Sequence, residues 1–380
     1  MSEPQEIWLC PDALFNGAEL LPGMAVCLVN KHVTDLQTVK DIPYGAARRA
    51  VRGLVTPGFL DLQVNGGGGV FLNQTPTAGA MQVIALAHRQ FGTVGILPTV
   101  ITDRAEVLAQ VATAALACKG SAGILGLHIE GPHIALARRG THAANLIRPL
   151  DDATIAIVAH LRQAGIVVMI TLAPEAATLA QISELAATGA VVSLGHSDAT
   201  AEHTRAALAA GATCFTHLFN AMSPMLSRTP GVVGAAINSA AFAGIICDGV
   251  HVADEMVGLA IRSRPVSDRM FLVSDAMPTV GGPDHFKLYG QDVRLVDGRL
   301  LNAEGSLAGA HVTMAEGLAR LVNLVGVDTA VALRMAVTVP ARVIGRPDLA
   351  QIIGRDAIDL LVLDSTLAVV GSVADLGQQP

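Results

Sequence analysis

Eight short apolar runs rich in β-branched residues recur between residues 55 and 275, and Ala-rich segments of helical period separate them. The runs are VTPGFLDLQV (55–64), GILPTV (95–100), GILGLHIE (123–130), IVVMITL (166–172), AVVSLG (190–195), TCFTHL (213–218), FAGIIC (242–247) and RMFLVSD (269–275). Near-continuous apolar runs of this length belong to strands buried on both faces, as in a parallel sheet wrapped by helices. Eight of them favour a closed barrel over an open doubly wound sheet. The helical period predicts helices at 80–91, 104–118, 152–164, 176–187, 201–210, 253–262 and 312–325, with Ser197 and Asp198 as N-cap candidates for the fifth.

The first 53 residues depart from this repeat, with short alternating runs and turns at Asn16-Gly17 and Pro22-Gly23. Beyond Gly345 the chain turns strand-like again in AIDLLVLD (357–364) and LAVVGSV (367–373). The economical architecture is a TIM-like (β/α)8 barrel over 54–344 and a small β-sandwich built from both termini, 1–53 plus 345–380.

Hydrophobic residues make up 51% of the chain and charged residues 15%, a balance that raises the question of a membrane. The longest apolar stretch, 164–173, contains Gly165 and Thr171 and falls well short of the roughly 20 residues a spanning helix needs. The start, MSEPQEIWLC, has neither a basic n-region nor an apolar h-region, so the expectation is a cytoplasmic protein. Five dispersed cysteines with no CxxC pair read as reduced, buried thiols. A net charge of −7, no Lys/Arg cluster and 3% aromatic residues leave no footprint for nucleic acid.

Four of the runs carry a polar residue at or next to their end: Glu130, His196, His217 and Asp275. In barrels of this kind function gathers at the carboxyl ends of the strands. A carboxylate and two neutral imidazoles suit a borderline divalent ion and leave a position for water. A structural ion pair is the alternative for Glu130, since a lone buried carboxylate is costly. Asp275 either caps the following loop or acts as the base that takes a proton from an activated water. In the long Ser/Pro-rich segment 217–231, Arg228 offers a cationic contact for a phosphate, as does His251 after the seventh run, with backbone N–H groups near Asn220 and Ala221 completing a cradle. NGGGG (65–69) lacks the GK[ST] of a phosphate-binding loop and reads as a flexible turn at the barrel mouth. Gly281-Gly282 and the stretch to Gly290 read either as a mobile lid or as a plain surface turn.

In order along the chain, VTPGFLDLQVNG, GLHIEGPHI, RRGTHAAN, SLGHSDAT, THLFNAMSP, CDGVHV, LVSDAMP and GSLAG resemble the N-acetylglucosamine-6-phosphate deacetylase family of the amidohydrolase superfamily, over residues 54–309. The resemblance implies one divalent metal per chain on Glu130, His196 and His217, Asp275 as general base and acid, and His142 as a group polarising the substrate carbonyl. It further implies substrate contacts from Thr141, His142, Asn220, Ala221, Arg228, Asp248, His251, Leu307, Ala308 and Gly309. The implied reaction converts N-acetyl-D-glucosamine 6-phosphate to D-glucosamine 6-phosphate and acetate. Alternatives are the N-acetylgalactosamine 6-phosphate reaction, another N-acyl amidohydrolase, or a catalytically silent barrel scaffold. Many superfamily members carry an HxH pair where this chain has Gln63 and Asn65, and amides are poor metal ligands, so a single metal site is expected. Zn2+ is the expected ion, with Fe2+, Co2+ and Mn2+ compatible with the same donors. The implied partners are a phosphorylated amino sugar and a second copy of the chain in a homodimer, with no nucleic acid, membrane or further cofactor.

Overall fold

All eight predicted runs form strands of one parallel barrel sheet: β1 (Phe59–Val64), β2 (Thr93–Ile101), β3 (Gly126–Glu130), β4 (Val167–Leu172), β5 (Val191–Leu194), β6 (Cys214–Phe215), β7 (Phe242–Ile245) and β8 (Met270–Leu272). Each is hydrogen-bonded to the next in chain order. The computed structural model describes residues 6–375, so the outermost five residues at each end of the expected terminal unit lie outside the described residues. The predicted helices are present with ends shifted by up to three residues, among them Ala78–Arg89, Ala105–Ala117 and Asp152–Gln163. Among the described residues no helix is long and apolar enough to cross a membrane.

The barrel closes through backbone beyond β8. Asp275 N–H donates to Gln63 C=O at 3.0 Å, and the N–H groups of Asn65 and Gly66 both donate to Ala276 C=O, at 2.9 and 3.0 Å. The carboxylate of Asp61, fully buried in β1, fastens the same seam by accepting from the N–H and O–H of Ser274 and the N–H of Gln63. Burial pushes Asp61 up to about 7, against those hydrogen bonds. A helical stretch, Thr329–Leu333, Arg334–Thr338 in π geometry and Val339–Val343, follows the barrel, and its later turns pack on β1 and β8.

Both ends of the chain feed one seven-stranded sheet, in the order Val369–Ser372, Leu360–Leu363, Arg48–Pro57, Glu6–Phe15, Met24–Val29, His32–Thr38, with Leu20–Pro22 paired to Glu6–Phe15. The run read as one strand over 55–64 is therefore two. Its first residues finish Arg48–Pro57 in the terminal sheet, and β1 begins at Phe59. Gly58 makes the junction, where a Cβ would lie 2.2 Å from a Val94 methyl, so any larger residue would force Val94 or the backbone to shift.

Three elements depart from the sequence reading. Residues 285–302 form a three-stranded antiparallel sheet, His285–Leu288, Gln291–Val296 and Arg299–Asn302, inserted after β8. Its inner face packs Phe286, Leu288, Val293 and Leu300 against Phe71, Ile101 and Met277, so it is anchored to the barrel mouth by an apolar cluster of its own. The glycines of NGGGG are not a flexible turn: Gly66–Gly67 pairs with Val70–Phe71 as a small hairpin and Gly68 and Gly69 bond to the backbone of Val280 and Pro278. The helix Ala201–Ala209 is capped by Thr200; Ser197 and Asp198 instead hydrogen-bond to the Glu175 carboxylate and brace the loop after β5.

Candidate active site

Glu130 is the last residue of β3, and His196, His217 and Asp275 follow β5, β6 and β8 within three residues of each strand end. The three that follow their strands take left-handed backbone angles, φ 47° at His196, 27° at His217 and 53° at Asp275. Non-glycine residues in that region cost of order 1–3 kcal/mol each and persist only where surrounding structure holds them. Here the turn directs each side chain into the barrel mouth instead of along the strand. Beneath them lies a layer of satisfied polar groups: His128 Nε2 meets Thr171 Oγ1 at 2.7 Å, and Thr216 Oγ1 meets Thr171 at 2.6 Å and Ser193 at 2.7 Å.

Glu130 Oε1 lies 3.2 Å from His196 Nε2 and 3.0 Å from His217 Nε2, and the two nitrogens are 3.1 Å apart. Ligands about 2.0–2.2 Å from a tetrahedral ion stand about 3.3–3.6 Å from one another, so this triangle, with sides of 3.0–3.2 Å, is slightly tighter than one face of such a site. All three side chains are nearly inaccessible. His196 Nδ1–H donates to the carbonyl of Arg138 at 2.9 Å, which leaves Nε2 as a lone pair. Glu130, His142 and His196 also offer ligand atoms within 4.8 Å of one another, a looser triangle than the one His217 completes. The donor set therefore fits a divalent ion.

Charge in this mouth is balanced by contact. Burial raises the Glu130 carboxyl, but the imidazoles of His196 and His217 outweigh it and hold the group well below the usual carboxylate range. Burial works to discharge His217, and Glu130 more than compensates. Burial and the negative charge of Glu130 push Asp275 up to about 6. Burial takes His142 down to about 3, so its ring is neutral near pH 7. The amides of Gln63 and Asn65 join the carboxylates: Gln63 Nε2 donates to Glu130 Oε1 and to Asp275 Oδ1, both at 3.0 Å, and Asn65 Nδ2 donates to Asp275 Oδ1 at 2.7 Å.

Glu130, His196, His217, Asp275 and Asn65 line a cavity of about 190 Å³ whose wall also carries Thr141, His142, Asn220, Ala221, His251, Leu307 and Gly309. Past Gly140, Thr141 and Leu307 it continues into a polar cleft of about 480 Å³ against the inserted sheet. Three residues expected to touch substrate stand elsewhere. Asp248 lies behind His251, its Oδ2 2.6 Å from His251 Nδ1, and that pairing keeps the carboxyl below its usual range despite partial burial. Ala308 is fully buried in the cluster under the inserted sheet. Arg228 sits in the exposed loop 224–230, away from the cavity of its own chain. The expected backbone cradle is half used, because Asn220 N–H already donates to His217 C=O at 3.0 Å. Ile101 and Met277 line the cavity without having been singled out in the sequence, since nothing separates them there from other apolar residues at strand ends.

Residues 54–374 match the sequence model of the amidohydrolase family. The chain is 40% identical over 327 residues to an N-acetylgalactosamine-6-phosphate deacetylase of Shewanella sp. (strain ANA-3), covering 85% of this chain and 82% of the relative. It is 34% identical over 328 residues to the N-acetylglucosamine-6-phosphate deacetylase of Haemophilus influenzae, covering 84% of this chain and 85% of that protein. Among solved structures, N-acetylglucosamine-6-phosphate deacetylase from Pasteurella multocida superposes with a TM-score of 0.90 at 31% identity, over 97% of this chain and 98% of that one.

Proposed function

The chain belongs to the amidohydrolase family, and from that premise we propose that it hydrolyses the acetamide of N-acetyl-D-glucosamine 6-phosphate to D-glucosamine 6-phosphate and acetate. The observation that carries the reading is the convergence of Glu130, His196 and His217 within 3.2 Å of one another beside Asp275, at the base of a cavity walled by His142 and His251. Glu130, His196 and His217 would hold one divalent metal, with Zn2+ the expected ion; bound there, it supplies Lewis acidity and makes water acidic enough to attack near neutral pH. Asp275 has Oδ1 committed to two amide donors, which leaves Oδ2 to take the water's proton and return it to the departing amine. His142 donates to the acyl oxygen as negative charge develops on it. Asp248 accepts from His251 Nδ1–H, so His251 Nε2 is presented to the phosphorylated end of the sugar. Ala221 N–H, with no protein acceptor among the described residues, joins it.

The reading includes a homodimer in which Arg228 serves the partner's cavity. Its support is the exposed loop 224–230, where Met225 and Leu226 are 41% and 58% exposed beside Arg228. It also includes a catalytic unit over 54–344 with the terminal sheet as an accessory unit, and a cytoplasmic setting, in keeping with five unpaired cysteines. The relative at 40% identity favours a second reading, in which the substrate is the galactosamine epimer. Acetate release from the metal-loaded protein decides between them, comparing both N-acetylhexosamine 6-phosphates with unphosphorylated N-acetylglucosamine. A kcat/KM that is highest on the glucosamine 6-phosphate supports the first reading. A preference for its epimer replaces it with the second, and no release from any of the three refutes both.

A further inference from the structure

Thr102 follows β2 directly and stands behind His142. Its hydroxyl lies 2.7 Å from His142 Nδ1, and both residues are buried. Three contacts fix it there. The carboxamide of Asn73 closes on Ile101, accepting from its N–H and donating to its C=O, each at 3.0 Å. Tyr289, in the turn between the first two strands of the inserted sheet, donates its O–H to Thr102 C=O at 2.6 Å. Gly131, next to Glu130, leaves room for the hydroxyl: a Cβ there would lie 2.3 Å from Thr102 Oγ1.

Resting on the reaction proposed above, we infer that Thr102 is a positioning residue that fixes His142 in the Nε2–H tautomer, making it a donor to the acyl oxygen and excluding it as a metal ligand. A neutral imidazole carries one N–H. Among the described residues Thr102 Oγ1 has no hydrogen-bond partner other than His142 Nδ1. If Nδ1 held the ring proton, the buried hydroxyl would have nothing to donate to, an arrangement that folded proteins avoid. With Nδ1 accepting, the ring proton sits on Nε2, which has no protein partner among the described residues and belongs to a side chain that lines the cavity. A protonated ring nitrogen cannot ligate a metal. Both His142 and His217 stand near enough to Glu130 and His196 to be the third partner, and the tautomer assigns that place to His217, which also makes the tighter triangle. His196 obeys the same rule in reverse. Behind its ring stands an acceptor, the Arg138 carbonyl, so its Nε2 is bare. One donor behind one ring and one acceptor behind the other give two histidines with centroids 4.4 Å apart opposite tasks.

The test uses the zinc-loaded full-length chain in three forms: wild type, Thr102→Val and Thr102→Ser. The 15N resonances of His142 are assigned by their loss in His142→Gln. The expected wild-type pattern is a protonated Nε2 and an unprotonated Nδ1 displaced by an accepted hydrogen bond, a displacement lost in Thr102→Val and regained in Thr102→Ser. Thr102→Val should lower kcat about 10–100-fold with little change in KM or in zinc affinity, and Thr102→Ser should recover most of that rate. A proton on Nδ1 in the wild type overturns the inference. So does a zinc affinity that falls with kcat in Thr102→Val, because His142 would then be a ligand. If the wild type releases no acetate from either sugar phosphate, the reaction is wrong, yet the tautomer pattern still decides the assignment of Thr102.

Discussion

Replacing Asn65 by leucine tests how this chain tunes Asp275. Asn65 is fully buried, and its Nδ2 lies 2.7 Å from Asp275 Oδ1. Burial and the charge of Glu130 push Asp275 up to about 6, and the Asn65 hydrogen bond opposes them by favouring the ionised form. A hydrogen bond to a charged group contributes about 1.5–3 kcal/mol. One pKa unit corresponds to about 1.4 kcal/mol, so Asn65→Leu, with the same branched shape and no donor, should raise Asp275 by about 1–2 units. A general base works only when ionised, so the acid limb of kcat/KM should move to higher pH by the same amount. A divalent cation beside the carboxylate lowers both limbs, and the difference between the two proteins is therefore the quantity to measure. The assay is acetate release at low substrate and saturating metal across about pH 5 to 9. On the wild-type acid limb the variant should be about 10–100-fold slower, and it should recover most of that loss on the alkaline side. A limb that stays in place while the rate falls equally at every pH would show that Asn65 acts on something other than the ionisation of Asp275.

Asp275→Asn should retain about one metal per chain and lose about 100–10,000-fold in kcat; a near wild-type rate at saturating metal would remove Asp275 from the proton transfers. Arg228→Ala should lower kcat/KM for the phosphorylated sugar far more than for free N-acetylglucosamine, and mixing it with an Asp275→Asn chain should restore part of the activity if the loop serves its partner. Equal losses on both sugars would count against a phosphate contact. Asp61 binds its proton more tightly in the fold than in the unfolded chain, with a folded value of about 7 against an ordinary value of 3.8. Its contribution to stability is therefore fully present below about pH 4 and is lost as pH rises through about 7, a swing on the order of 4 kcal/mol. Asp61→Asn, which has no such titration, should gain stability relative to wild type over that interval in urea unfolding; a difference that is constant with pH would contradict a raised Asp61.

The barrel and the four polar strand-end residues were legible because parallel strands buried on both faces leave an unbroken apolar record, and a charged or imidazole group at its end is conspicuous against it. The inserted sheet was written less plainly but was still readable. Tyr289-Gly290 and Asp297-Gly298 separate alternating runs, and all four residues take positive φ (49°, 84°, 49° and 74°), as two-residue hairpin turns require. The short helix Gly231–Ile237 was hidden by Gly231, Gly234 and two valines, which give it little intrinsic preference, and its burial on every residue comes from tertiary packing. Thr102 could not be found in sequence at all. It meets His142 across 40 residues, through a glycine's missing side chain and a tyrosine on an unrelated sheet.

With one metal per chain, as proposed, the amide pair accounts for how Glu130 tolerates a second carboxylate so close by. Glu130 and Asp275 are both buried, and the charge of Glu130 is one of the two main causes of Asp275's raised value. Where imidazoles stand in place of Gln63 and Asn65, a second cation can screen that repulsion by its charge. Here the screening is done by N–H groups: Gln63 bridges the two carboxylates with one nitrogen, and Asn65 adds a shorter bond to Asp275 alone. Donors of this kind lower the repulsion without saturating it, and the carboxyl of Asp275 stays above its ordinary range. They also act on one oxygen only, Oδ1, and leave Oδ2 without an amide donor. A second cation bound at Asp275 would lower its carboxyl further and make it a weaker base toward the attacking water. In the reaction proposed above, the amides at the end of β1 would thus set the basicity of Asp275 as well as disfavour a second ion beside it.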